Sequence, residues 1–171
     1  MSLDSSAWDA IPSSPTTTGM LTAKLLRDIR DGDVPAYDEL HHQVVHQFSV
    51  GAVAYVAAPH LIKIALSGER AQSIPALNIV GTVAAGLLAY PQSAAPMRDE
   101  WRAEYSEANS QALRLAADLL GGEDALSASD TQQLLATVAA LRGQKDLAMH
   151  LFSQIGSPQL ECPACGEAIE Y

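Results

Sequence analysis

The chain has 171 residues, enough for one compact domain, and its composition argues against a sheet-rich fold. Hydrophobic residues make up 48% of the chain, but aromatic residues only 5%. Ala and Leu dominate the hydrophobic residues, whereas a sheet protein would be rich in β-branched and aromatic side chains. Ten basic and twenty acidic residues give a formal net charge of -10, with no basic patch, which argues against nucleic-acid binding. We therefore predict one all-α domain.

The N-terminal residues 1–18 are rich in Ser, Thr and Pro, which predicts a flexible tail before a helical domain over 19–156. This stretch lacks the basic start and the apolar centre of a signal peptide. Only two cysteines occur, Cys162 and Cys165, so no long-range disulfide framework is expected. Together these features predict a cytoplasmic location.

The first two helices are predicted from their start and stop signals. Thr18 has the position of an N-cap for a helix over residues 19–31, and Gly32 has the position of its stop. Asp33 is predicted to cap the second helix, with Pro35 in its first turn. No strand is predicted before residue 159.

Two strongly apolar segments follow. Residues 51–68 are apolar almost all round, which predicts a helix enclosed by neighbours, and Pro59 is expected to kink or split it. Residues 71–91 carry no charged side chain and are long enough to cross a bilayer. Small and polar residues within the segment, without a flanking cluster of Lys and Arg, favour a buried core helix over a membrane span.

The second half of the domain is predicted to contain three more helices. The longest is expected from Pro96 to Gly121, and Ser129 and Gln132 have the spacing of a capping box for a helix that runs to Leu141. A last helix is expected to end at residue 156. The apolar stripe of this last helix consists of Leu147, Leu151 and Ile155.

Two segments resemble small bacterial proteins built from HEAT-like helical repeats. The run HQFSVGAVAYVAAPHLIKIALSG (46–68) is similar to a segment common in them. The run LLATVAALRGQKDLAMHLFSQIGSPQLECPACG (134–166) is similar to their closing portion, where a Leu-Arg-Gly turn precedes a Cys-Pro-x-Cys knuckle. The resemblance implies an α-α superhelix of helical pairs followed by a Cys knuckle over 157–171. It also implies protein partners, since some such proteins look like immunity proteins that neutralise toxins, and it brings no catalytic residues.

The stretch HHQVVH, residues 41–46, contains the first candidate site. His42 and His46 are spaced like the two ligands of a zinc metalloprotease helix, but Gln43 stands where that chemistry needs a Glu as general base. We therefore interpret the pair as a solvated helix face and a candidate partner-binding surface. His41 is expected at the edge of the core and His60 inside it, each with a structural role.

The motif CPACG is the stronger local signal, because Cys162 and Cys165 form the kind of knuckle that holds zinc. Tetrahedral zinc needs four ligands, and the remaining two are open. Completions are His150, a carboxylate such as Glu161 or Glu167, or the cysteine pair of a second copy in a homodimer. The alternatives are free thiols or a local disulfide. Two rival functions remain open: a zinc-dependent metalloenzyme that uses His42, His46 or the cysteine pair, and a zinc-knuckle nucleic-acid binder.

The last candidate surface lies on the longest predicted helix. Acids alternate there with Arg98 and Arg102, as on a solvated helix face, and this arrangement could receive a basic partner protein. The four acids of the surface are Asp99, Glu100, Glu104 and Glu107. The sequence contains no phosphate-binding glycine loop, nucleophile elbow or carboxylate metal cluster. We therefore predict a protein-binding module that is not an enzyme.

Overall fold

The computed structural model describes residues 1–11, 18–46, 48–155, 160–161 and 168–169, and for His46, Ala71 and the last four of these residues only the backbone. The described residues form seven α-helices, so the predicted all-α class is confirmed, while the HEAT-like superhelical stacking stays a prediction. The helices are α1 (Gly19–Arg30), α2 (Ala36–Val44), α3 (Ala52–Ser67), α4 (Arg70–Ala89), α5 (Asp99–Gly121), α6 (Ala128–Leu141) and α7 (Lys145–Gln154).

Helix α1 begins and ends where the sequence predicts. The Thr18 hydroxyl accepts a hydrogen bond from the Leu21 amide at 3.1 Å, which satisfies one of the free donors of the first turn. After the last helical residue, Gly32 adopts a φ of 100°, a conformation that glycine reaches without steric cost. The local chemistry of two residues therefore fixes both ends of this helix.

The predicted starts of two other helices are wrong. The N-cap position of α2 is occupied by Pro35, two residues after Asp33, so Asp33 is not the cap. The side chain of Pro35 cannot accept a hydrogen bond, and α2 therefore starts without a side-chain cap. Helix α6 is capped by Ser127, whose hydroxyl accepts from the Asp130 amide at 3.0 Å, rather than by Ser129. The two serines lie two residues apart, and only the extended backbone at Ser127 has the conformation of an N-cap.

The N-terminal residues 1–11 pack on the domain instead of forming the predicted flexible tail. Ser6–Ala10 form a 3-10 helix, and Trp8 within it is fully buried. The guanidinium of Arg27 on α1 donates a hydrogen bond to the Leu3 carbonyl oxygen at 2.6 Å. Composition suggested disorder, but several contacts together hold the segment: the buried indole, its N–H donating to the Ser2 carbonyl oxygen at 2.9 Å, and the hydrogen bond from Arg27.

A small hairpin interrupts the helices after α2. Strand β1 (Val45–His46) pairs antiparallel with β2 (Ser49–Val50), so the prediction of no strand in this region is wrong. Phe48 in the turn has a φ of 61°, which is uncommon for a residue with a side chain. Further along the chain, β3 (Leu160–Glu161) pairs with β4 (Ala168–Ile169) in the same antiparallel way.

Helix α3 continues through Pro59 from Ala52 to Ser67, and is therefore not split. Nearly all of its side chains are buried, as its apolar sequence predicts. It packs against α4 on one side and α5 on another, and it also contacts α1. Its place between these helices makes it the centre of the N-terminal half of the domain.

Helix α4 lies at the centre of the domain, against α3, α6 and α7. It is long and apolar enough to cross a membrane, but 67% of the window Gln72–Ala89 is buried inside the molecule. A Cβ atom at Gly81 would lie 2.8 Å from Thr137 Cα, so the glycine permits close approach of α6. The Thr137 hydroxyl donates to the Leu77 carbonyl oxygen at 3.2 Å across this contact.

Candidate functional site

Helix α5 has one buried face and one solvent-exposed face. The buried face packs against α3 and α6 and follows the three- and four-residue spacing of a helix. Its buried side chains are Trp101, Tyr105, Ala108, Ala112 and Ala116. The first turn places Asp99 and Glu100 at the positive end of the helix dipole, which favours acids there.

The exposed face of α5 carries all four acids of the predicted partner-binding surface. Their side chains are 61–97% exposed, so solvent or a partner protein can reach each of them. Every one of them also lies within 4 Å of a basic group of the molecule. The pairs are Asp99 with Arg102 at 3.1 Å, Glu100 with Arg98 at 3.5 Å, Glu104 with the Met1 ammonium at 3.9 Å and Glu107 with Arg114 at 3.4 Å.

A groove of about 320 Å³ runs between α3 and α5 beside this acidic face. Pro59 and Lys63 of α3 form one wall. The other wall consists of Ala103, Glu104, Glu107, Ala108 and Gln111 of α5. Two of the four predicted acids thus border a concave site, which sequence reasoning missed because the groove depends on the packing of two helices distant in the chain.

His60 lies on α3 one turn before Lys63, and its imidazole packs on the indole of Trp8 with ring centroids 5.8 Å apart. Burial is the main reason why its pKa is lowered from 6.5 to about 4, and the nearby charge of Lys63 acts in the same direction. The imidazole is therefore neutral at pH 7. Its environment is that of a structural histidine, in line with the sequence-based interpretation.

The structure does not place His42 and His46 on one helix face. His42 lies exposed near the end of α2, whereas α2 ends at Val44 and His46 belongs to strand β1. The two histidines therefore do not share the helix face that a metalloprotease-like pair requires. His41 is half-buried, and its pKa is lowered by burial first and then by the charge of His42. Among the described residues no group of three or more His, Cys, Asp or Glu side chains could hold a metal ion.

Cys162 and Cys165 lie outside the described residues, in the segment between β3 and β4. Glu161 and Ala168, the described residues on either side of it, are paired in the β3–β4 ladder. Of the suggested completing ligands, His150 is exposed on α7. Zinc at the cysteine pair stays a prediction, and metal analysis of the purified protein tests it directly.

A second groove, of about 340 Å³, lies along the other side of α5 and was also missed by sequence reasoning. Tyr105 and Asn109, one helical turn apart, both line it. Burial raises the pKa of Tyr105 to about 12, so its phenol is protonated at pH 7. Although the two side chains are neighbours, neither Tyr105 Oη nor Asn109 Oδ1 makes a well-formed hydrogen bond with the described residues. Tyr105 and Asn109 are four residues apart, and this helical spacing is the sequence signal that could have found the pair.

Comparison with known proteins adds no family to this description. No family model matches the sequence, and no curated protein or solved structure matches it. The resemblance to HEAT-like and immunity-like proteins therefore stays a prediction.

Proposed function

We propose that this chain is a non-catalytic protein-binding domain that docks a basic surface of another protein on the exposed face of α5. The observation that carries the proposal is the row of four exposed acids between Asp99 and Glu107 in a molecule of net charge -10. These residues span only roughly 12 Å of helix, since each residue advances the helix by about 1.5 Å. A basic patch of similar length on a partner is enough to cover all four acids.

The ion pairs of the free molecule do not prevent this docking. Pairs between exposed side chains are typically worth only about 0–1 kcal/mol, because water and salt screen the charges. A partner's Lys or Arg can therefore replace Arg102 on Asp99, or Arg98 on Glu100, at little cost.

The acidic charge also gives the interaction a kinetic advantage. A protein of net charge -10 attracts a cationic partner over distances of a Debye length, which raises the association rate at low salt. The resemblance to immunity-like helical proteins supports the same role, because a cationic toxin is a partner that must be met rapidly. A regulatory role with another basic protein would use the same surface.

A charge-reversal experiment tests the proposal. The immobilised chain is used to capture proteins from an extract of its source cells, and the double variant Asp99→Lys with Glu100→Lys is compared with the wild type. A matched control reverses two exposed acids on other helices, Glu39→Lys with Asp146→Lys, so that the net charge changes equally. The proposal predicts loss of the captured partner with the α5 variant only.

Salt dependence provides the second readout of the same experiment. Capture by the wild type should weaken steeply between roughly 50 mM and 500 mM salt, because the Debye length falls severalfold. Equal capture by the α5 variant and by the wild type at both salt concentrations would show that another surface binds the partner.

A further inference from the structure

We infer that the groove between α3 and α5 receives an arginine side chain of the partner, an inference that rests on the proposed function and names the group it recognises. The groove holds about 320 Å³ and is bounded by the apolar side chains of Pro59, Ala103 and Ala108. Its acidic wall is formed by Glu104 and Glu107. An arginine joins an apolar stem to a charged planar head, which is the combination that these walls match.

The acidic wall offers acceptors to a guanidinium. Glu107 already accepts a hydrogen bond from the Gln111 amide at 2.8 Å, which orients its carboxylate. Its contact with Arg114 is longer, at 3.4 Å, and both side chains of that pair are more than 60% exposed. Glu104 lies 3.9 Å from its own cationic neighbour. Both ion-pair contacts are long, and both carboxylates are more than 60% exposed, so each of them can also accept from a guest cation.

The acceptors of the groove are the two carboxylates of the α5 wall. Pro59 on the α3 wall presents only an apolar ring. A guanidinium carries five donors in a fixed fork, whereas an ammonium carries three on a compact head. The acceptors of the groove therefore favour arginine over lysine.

Lys63 places a positive charge on one wall of the groove, opposite the negative charges of the other wall. It lies on the wall opposite the two acids and is exposed. A second cation beside the bound arginine would meet its charge, so the partner segment is expected to carry one arginine without an adjacent basic residue. The same argument predicts that removal of the Lys63 charge strengthens binding, while removal of the Glu107 charge weakens it.

The probe is a blocked pentapeptide with one arginine between glycines, titrated into the isotopically labelled chain at low salt and followed by NMR. The reference peptide has citrulline in place of arginine, which keeps the shape and removes the charge. The arginine peptide should shift backbone signals of residues 59–63 and 103–111. The citrulline peptide should bind at least about tenfold more weakly, since hydrogen bonds to charged groups are roughly twice as strong as neutral ones.

Four variants sharpen the test. Glu107→Gln should weaken the arginine peptide about tenfold, and Lys63→Gln should strengthen it by about two- to threefold, as expected for one charge at a partly screened distance. The controls Asp146→Asn and Lys145→Gln change the net charge equally on α7 and should leave the affinity within about twofold. Circular dichroism confirms that each variant is folded.

Three results would overturn the inference: no shift in the groove at millimolar arginine peptide, equal binding of the citrulline peptide, or equal effects of the groove variants and the α7 controls. If one of them occurs while the Asp99→Lys, Glu100→Lys variant loses the partner protein, the proposed function survives and the groove assignment fails. If the arginine peptide binds in the groove but that variant keeps its partner, the exposed face of α5 is not the docking surface.

Discussion

The two longest helices, α4 with 20 residues and α5 with 23, show how the distribution of charge around a helix decides what the helix does. After Arg70, helix α4 has no charged residue, and other helices enclose most of it. Helix α5 is apolar along one stripe only, so its opposite face remains in solvent with its acids and arginines. A helix that is mostly enclosed holds the fold together, whereas a helix with one exposed face can also meet a partner.

This comparison predicts the largest loss of stability when a buried leucine on α4 is replaced. Leu77 is 0% exposed, and we expect Leu77→Ala to lower the free energy of unfolding by about 3 kcal/mol, through lost burial and the cavity that remains. The matched change on α5, Leu115→Ala, should cost about 1 kcal/mol, since this leucine is only partly buried. Urea denaturation of both variants measures the difference. Equal losses would mean that α5 is as much a core helix as α4.

An intermediate effect is expected from acid pH on the side of α3 that faces the N-terminal segment. The pKa of His60 is about 4 in the folded chain, below its ordinary value of 6.5, so the unfolded chain binds the proton more readily. The contribution of neutral His60 to the free energy of unfolding is therefore fully present above pH 6.5 and is lost as the pH falls towards 4. Thermal denaturation between pH 7.5 and 5 should show this decline.

The variant His60→Gln isolates this contribution from other titrating groups. Its stability should depend less on pH than that of the wild type over the same interval. A smaller decline should remain, because the pKa of His41 is also lowered by burial. If the pH dependence is unchanged in the variant, the packing of His60 on Trp8 does not control the stability of this region.

The sequence predicted those elements whose signals are local. Thr18 and Gly32 fix the ends of α1, and the uncharged stretch from residue 71 onward indicated the buried helix α4. The prediction of which face of α7 packs against the domain is wrong. Ala148 and Phe152 are buried, whereas Leu147 in the expected stripe is 49% exposed. Small alanines on α6 let α7 approach closely, and apolar periodicity alone cannot choose between two adjacent stripes.

In the candidate site, too, local features were predictable from the sequence and contacts between distant segments were not. Spacing along α5 is enough to place its four acids on an exposed face, because three- and four-residue separations are short-range. The groove requires Pro59 to lie opposite Ala103, a pairing across distant parts of the chain that no local pattern encodes. Trp8 was hidden in a segment whose Ser and Pro content suggests disorder, although a lone tryptophan in such a segment is itself a signal of packing.

The smallest predicted effect is the most informative about α5. Asp99 is 97% exposed and pairs with Arg102, so Asp99→Asn should lower the free energy of unfolding by no more than about 0.5 kcal/mol, and less at high salt. Differential scanning calorimetry at two salt concentrations measures this change. A loss as large as about 2 kcal/mol would show that the acids of α5 contribute to folding itself. A negligible loss fits a face whose weak ion pairs can be exchanged for a partner's charges, in contrast to the mostly buried surface of α4.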